Sequence, residues 1–218
     1  MSWTKETGRR GTRGALVAVP LVGVLAVGAV LVGAIPGSEG ERLPGHDAPS
    51  TVVIAPPQEP GERLVVRGRV FAPDGETPVE GVTLYVYHTN VEGRYAPPGE
   101  ETPRLRSWVR TDAEGRYEYR TIRPGSYPGR DIPAHVHVFL WGAGYEPPWS
   151  DSRWFADDPL VDEEAKARSR QEGRLGRVCF PERTSEGALL CHRDYRLKPE
   201  GDDFPEEVRH AFQGPEGS

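Results

Sequence analysis

Pro133-Ala134-His135-Val136-His137-Val138-Phe139-Leu140-Trp141 is the stretch on which the fold turns. Successive side chains of an extended strand point to opposite faces, and here both alternating sets are largely apolar. A strand apolar on both sides belongs inside a sheet covered on both faces, so Ala134 to Trp141 predicts an internal strand. The same alternation sends His135 and His137 to one face, where two imidazoles can address a single point. One strand would then supply half of a metal site.

Working outward, the neighbouring segments also read as strands. Leu64 to Phe71 stops at the turn sequence Pro73-Asp74-Gly75, and Val79 to His88 resumes with Val82, Leu84 and Val86 alternating. Thr111-Asp112-Ala113-Glu114-Gly115 is another turn, followed by Tyr117, Tyr119 and Thr121 at every second position. Strands divided by Gly- and Pro-rich turns predict an all-β domain, a β-sandwich of antiparallel or mixed sheets. Asp162 to Glu172 is the one helical stretch, with Glu163, Glu164, Lys166 and Arg168 spaced for ion pairs along a solvated face. There is no internal repeat.

The N-terminus bears on compartment. Lys5, Arg9, Arg10 and Arg13 lie in a basic segment, 1–14, that precedes an uncharged run of 21 residues, 15–35, about the length of a membrane-spanning helix. That length favours an uncleaved anchor with its basic end in the cytoplasm, while Val32-Gly33-Ala34 keeps a cleaved signal peptide open. Either way the remainder is expected outside the cytoplasm. Residues 36–60, with six prolines, read as an extended spacer, 61–200 as the β-sandwich domain, and 201–218 as a flexible acidic tail. The formal net charge is −6, and removing the basic leader makes the remainder more acidic, which excludes nucleic acid as a partner. Cys179 and Cys191, the two cysteines, favour a disulfide stapling a C-terminal hairpin in an oxidising compartment; metal binding by one of them lacks the paired short spacing of zinc sites.

Candidate ligands for the other half of the site are Tyr95, in Glu92-Gly93-Arg94-Tyr95, and Tyr127, in Pro124-Gly125-Ser126-Tyr127-Pro128. Both sit in turns that can aim a ring inward, and a hard, oxidised metal favours phenolate oxygen. Two tyrosines with two histidines point to ferric iron. Taken singly, each tyrosine reads more simply as an aromatic anchoring a turn. His88 reads as packing near the site, whereas His46, His192 and His210 have no supporting pattern. Trp108, Trp141, Trp149 and Trp154 suit an aromatic pocket or a sandwich core equally well.

From Leu64 to Pro159 the chain resembles the intradiol ring-cleavage dioxygenases, which include the catechol and protocatechuate dioxygenases. Val86-Tyr-His-Thr-Asn-Val-Glu-Gly-Arg-Tyr95 is similar to the family segment carrying the first tyrosine ligand, and Thr111-Asp112 through Tyr127-Pro128 to that carrying the second. Pro133 to His137 matches the histidine pair. The resemblance implies Fe(III) as cofactor, held by Tyr95, Tyr127, His135 and His137, with a catecholic substrate and O2 as partners. It implies that Tyr127 leaves the metal with a catechol proton, that Tyr95 and His135 stay in the equatorial plane, and that His137 is axial. The ring would open between its two hydroxyl-bearing carbons to give a muconate-type diacid. Two positions depart from the family: Ile132 stands where an arginine is common, leaving Arg130 as the nearby candidate catalytic cation, and Ser152 replaces an expected glutamine. A catalytically silent iron- or catechol-binding relative is therefore a second reading. A structural module of the transthyretin-like or carboxypeptidase-regulatory type is a third, which accounts for residues 64–122 but gives no reason for His135 and His137.

Overall fold

A computed structural model describes residues 45–199, and of 145–150 the backbone alone. The predicted membrane or signal helix at 15–35, the basic leader and the acidic tail from 201 lie outside the described residues. No helix among the described residues is long and apolar enough to cross a membrane.

The strands are β1 (Thr51–Val53), β2 (Arg63–Phe71), β3 (Thr83–His88), β4 (Leu105–Arg110), β5 (Arg116–Ile122), β6 (His135–Gly142), β7 (Tyr145–Phe155), β8 (Val178–Cys179), β9 (Glu182–Arg183), β10 (Leu189–His192) and β11 (Tyr195–Arg196). One helix, α1 (Glu163–Glu172), follows β7. The strands form two sheets. One has the order β1-β5-β2-β10-β9, with β11 also pairing β2; the other has the order β4-β3-β6-β7-β8. Antiparallel pairs dominate, while β1–β5, β10–β2, β11–β2 and β7–β8 are parallel, so the sheets are mixed as expected.

β6 is the middle strand of its sheet, which explains why both of its faces are apolar. Val136, Val138 and Leu140 point into the core with Leu84, Val86 and Val109, against Val66, Val70, Tyr119 and Ile122 of the other sheet. The opposite face of the same sheet carries His135, His137 and Phe139, and the register places Tyr85 beside Phe139 and Tyr87 beside His137. Burial of each large aliphatic side chain contributes about 1.5–3 kcal/mol.

β7 breaks the apolar pattern. Asp151 lies opposite Val138 and Arg153 opposite Val136, so both charges point inward. They are held there by bonds: Arg193 Nη2 donates to Asp151 Oδ2 at 2.7 Å, and Arg153 donates to the carbonyls of Gly176 and, at 2.6 Å, His192. A buried ion pair of this kind costs stability if one partner is removed.

Two expectations are corrected. The stretch read as a spacer does not simply trail from the domain at 61: β1 pairs with β5, Ala55 is buried, and Glu59 is 7% exposed, because backbone pairing and an ion pair fix a proline-rich segment that hydropathy leaves unassigned. The cysteines do form a disulfide, with Cα atoms 5.7 Å apart, but it does not staple a hairpin. Cys179 is in β8 of one sheet and Cys191 in β10 of the other, so the bridge joins the two layers. α1 forms where expected, started by Asp162, whose side chain accepts from the Ala165 amide at 2.7 Å, and ended at Gly173. Its charges form the surface pairs Lys166–Glu163 and Arg168–Glu164.

Candidate metal centre

Two glycines explain how distant turns bring Tyr95 and Tyr127 together. Gly93 has φ +74°, and a Cβ there would stand 2.0 Å from the Ser126 carbonyl oxygen. A Cβ on Gly125 would stand 2.3 Å from the carbonyl oxygen of Val91. Only a residue without a side chain lets the two turns touch. Asn90 ties them further: its side chain accepts from the Glu92 and Arg94 amides at 3.0 and 2.9 Å, and its carbonyl accepts from the Gly125 amide at 2.9 Å. The sequence signals Gly-Arg-Tyr and Pro-Gly-Ser-Tyr thus encode one joint.

The two tyrosine rings meet the two imidazoles presented by β6. Tyr95 and Tyr127 share a short contact between hydroxyls. Tyr127 Oη lies 3.1 Å from His135 Nε2 and 3.3 Å from His137 Nε2; Tyr95 Oη lies 2.8 Å from His137 Nε2; and the two Nε2 atoms are 2.9 Å apart. All four side chains singled out in the sequence therefore converge. Arg130 does not join them: it is exposed in the turn after Tyr127, its amide donating to the Tyr127 carbonyl at 3.2 Å. Ile132 is 36% exposed, and Ser152 sits on β7 directly opposite His137.

The donor set fits a hard cation. The His135 Nδ1–H donates to the Pro133 carbonyl at 2.6 Å, which fixes the tautomer and leaves Nε2 as a lone pair aimed at the other three atoms. Two imidazole nitrogens and two phenol oxygens in mutual contact hold more lone pairs than protons to separate them, and a central cation resolves that crowding. Burial, then the charges of His135 and His88, pulls the His137 pKa down to about 4, so this ring stays neutral and ready to donate at neutral pH. Burial, followed by the hydrogen bond and charge of Tyr127, pushes the Tyr95 phenol well above its ordinary range. In metal-free protein Tyr95 thus keeps its proton, and phenolate would require a positive charge at the centre. Among the described residues no group of three or more His, Cys, Asp or Glu could hold a metal, so a metal at this point would need the tyrosines as ligands.

Other histidines are accounted for without a metal. His88 is fully buried on the inner face of β3; its Nδ1–H donates to the Thr89 carbonyl at 2.7 Å and its Nε2 accepts from Thr121 Oγ1 at 2.6 Å. His46 pairs with Asp47, His192 contacts Arg174, and His210 lies outside the described residues. Sequence reasoning missed Tyr87, whose ring stacks on His137 with centroids 4.6 Å apart. Burial, then the charges of Tyr127 and Tyr85, raises its phenol to about 12. The signal was available, since Tyr85 and Tyr87 alternate before His88. The tryptophans divide: Trp108 and Trp141 pack edge to face beside Tyr85, while Trp154 stands opposite His135 with Arg177 over its ring.

Comparison with known proteins gives a consistent picture. Residues 43–199 match the Dioxygenase_C family model, described as Dioxygenase. Catechol 1,2-dioxygenase 2 of Acinetobacter lwoffii is 32% identical over 146 residues, covering 53% of this chain and 53% of that protein. The protocatechuate 3,4-dioxygenase beta chain of Burkholderia cepacia is 35% identical over 113 residues, covering 46% and 48%. The chain thus spans about half the length of these relatives. Among solved structures, the dioxygenase domain of a dioxygenase carbohydrate-binding protein fusion from Streptomyces sp. SirexAA-E aligns with a TM-score of 0.54 and 25% identity, covering 73% of this chain and 94% of that one. Catechol 1,2-dioxygenase of Pseudomonas arvilla C-1 aligns with a TM-score of 0.56 and 26% identity, covering 72% and 60%.

Proposed function

The chain belongs to the intradiol ring-cleavage dioxygenase family, and from that premise we propose that it is an exported enzyme that opens catecholic rings with O2 at a ferric centre. The observation that carries the proposal is the convergence of Tyr95 Oη, Tyr127 Oη, His135 Nε2 and His137 Nε2 within 2.8 to 3.3 Å contacts. Those four residues would hold the iron. When bound, ferric iron supplies the positive charge that favours phenolate and catecholate over their neutral acids and primes the ring for O2.

The chain's own residues then divide the work. Tyr127 Oη accepts a catechol hydroxyl proton as substrate binds, serving as an internal base. His135, its tautomer fixed by the Pro133 carbonyl, and His137, kept neutral by burial, hold their lone pairs in place. Tyr95 and Tyr87 wall one side of the site, with the Tyr87 ring stacked on His137. The reaction breaks the carbon–carbon bond between the hydroxyl-bearing carbons, and both atoms of O2 enter the diacid product. Arg130, the sequence candidate to stabilise developing negative charge, would have to swing in from an exposed turn to do so.

Export rests on the apolar run at 15–35 and on the disulfide between Cys179 and Cys191, which persists in oxidising compartments. The full chain, purified in mild detergent and loaded with ferric iron, should be coloured by tyrosinate-to-iron charge transfer, with about one iron per chain. Oxygen uptake is expected with at least one of catechol, protocatechuate or hydroxyquinol, yielding a ring-opened diacid. Ile132 and Ser152 favour one further reading, a relative that binds catechols without turnover. A spectral shift on catechol addition with no oxygen uptake across the panel would establish that reading instead.

A further inference from the structure

The proline-rich segment before β2 reaches the candidate metal centre through a chain of bonds. The Arg63 guanidinium donates to the carbonyls of Pro56, Pro57 and Glu59 at 3.2, 2.8 and 2.6 Å, and the Glu59 amide donates to the Pro56 carbonyl at 3.0 Å. Five groups thereby fix the backbone of residues 56–59 as a tight knuckle. From it the Glu59 carboxylate, 7% exposed, takes both arms of Arg104, Nη1 to Oε2 and Nη2 to Oε1, each at 2.6 Å. A planar fork on a carboxylate fixes direction as well as distance. The Arg104 backbone amide in turn donates to the Tyr95 carbonyl at 2.8 Å, closing the excursion 96–103 that carries three prolines and two glutamates. Tyr95 then places its hydroxyl 2.8 Å from His137 Nε2.

Tyr95 is held on its N-terminal side by the Asn90 turn. On its C-terminal side the described hydrogen bond to its backbone is the one from Arg104, and Arg104 is itself held by Glu59. We propose that Glu59 is a positioning residue for Tyr95, acting through Arg104, so that the segment preceding the sandwich sets where the first phenol stands at the metal centre. This deepens the ferric-site reading and rests on it for its spectroscopic half only. A glutamate that merely stabilised the fold would be expected to affect the core and the 95–104 excursion together. A positioning residue affects the excursion and the phenol alone.

The test compares the full chain, in mild detergent, with Glu59→Gln, which keeps the shape and loses the charge, and with the conservative Glu59→Asp. In metal-free protein, hydrogen exchange over 95–104 should quicken about tenfold in Glu59→Gln while peptides of β3 and β6 exchange as before. After ferric loading, the charge-transfer band should shift or lose intensity, and Glu59→Asp should recover part of both effects. If Glu59→Gln fails to fold, Arg104→Gln carries the same two readouts. Unchanged exchange over 95–104 overturns the proposal, as does quickened exchange with an unaltered band. If the wild-type chain takes up ferric iron without colour, the ferric-tyrosinate reading fails, and the positioning role is then decided by proximity of the Tyr95 ring to the Tyr127 and His137 rings in metal-free protein, measured by NMR. Retained ring contacts in Glu59→Gln refute it and lost contacts support it.

Discussion

Tyr127 Oη stands next to each of the other three donor atoms, so removing it tests the site at its centre. Tyr127→Phe keeps the ring and deletes one oxygen. It should alter the ferric absorption and lower kcat by about 100-fold or more, the usual scale for losing a proton acceptor, with stopped-flow oxygen consumption as the measurement. Gly93 makes a sharper test of geometry, because it carries no chemistry. In Gly93→Ala a methyl would collide with the Ser126 carbonyl, so the two turns separate, and ferric colour should be lost while circular dichroism of the sheets is retained. The four converging side chains were legible in the sequence because the histidine alternation and the glycine-preceded tyrosines are local patterns. Glu59 and Arg104 were not, since their pairing spans 45 positions and joins two segments with no periodicity. Arg130 was the weakest assignment: its turn leaves it exposed, and sequence spacing says nothing of which way a turn faces.

Among elements, β3 and β6 decide both core and site. Leu84 of β3 faces Leu140 of β6 inside the sandwich while Tyr87 and His137 face each other outside, so one register serves both layers. Leu84→Ala should therefore cost about 2–5 kcal/mol in urea unfolding, and do so without changing the absorption of any ferric protein that remains folded. β3 and β5 were readable in advance from their alternation, β2 from an apolar run stopped by a turn and β6 from being apolar on both faces, as was α1 from its acidic start and lysine–arginine continuation. β4 was not, because Arg106, Trp108 and Arg110 on its outer side mask the short inward series Leu105, Ser107, Val109. β7 was not read as a strand because Asp151 and Arg153 point inward, against the apolar rule, and are tolerated only through partners on Arg193 and on the carbonyls of Gly176 and His192. β1 and β9 are too short to carry a period at all.

For the whole molecule, stability should fall in mild acid, and His88 gives the sign. An unfolded histidine titrates near 6.5, whereas burial, the largest cause, holds folded His88 down to about 4. As pH drops below 6.5 the unfolded chain takes up a proton that the folded chain refuses, so stability is lost between about 6.5 and 4 and no further below. That difference corresponds to roughly 3 kcal/mol. Urea midpoints at pH 7 and 4.5 should differ by less in His88→Gln than in the wild type. The β-sandwich and its internal strand were evident from the sequence because each depends on local alternation, and the family resemblance was evident from the motifs that carry it. How the layers are tied together was not, because two cysteines twelve positions apart say nothing of which sheets they enter. With Cys179 in one sheet and Cys191 in the other, the bridge makes the route of manufacture part of the molecule: a recombinant gene directed to a reducing cytosol should yield chains whose layers lack this tie, and direction to the bacterial periplasm should raise the share of active, protease-resistant product.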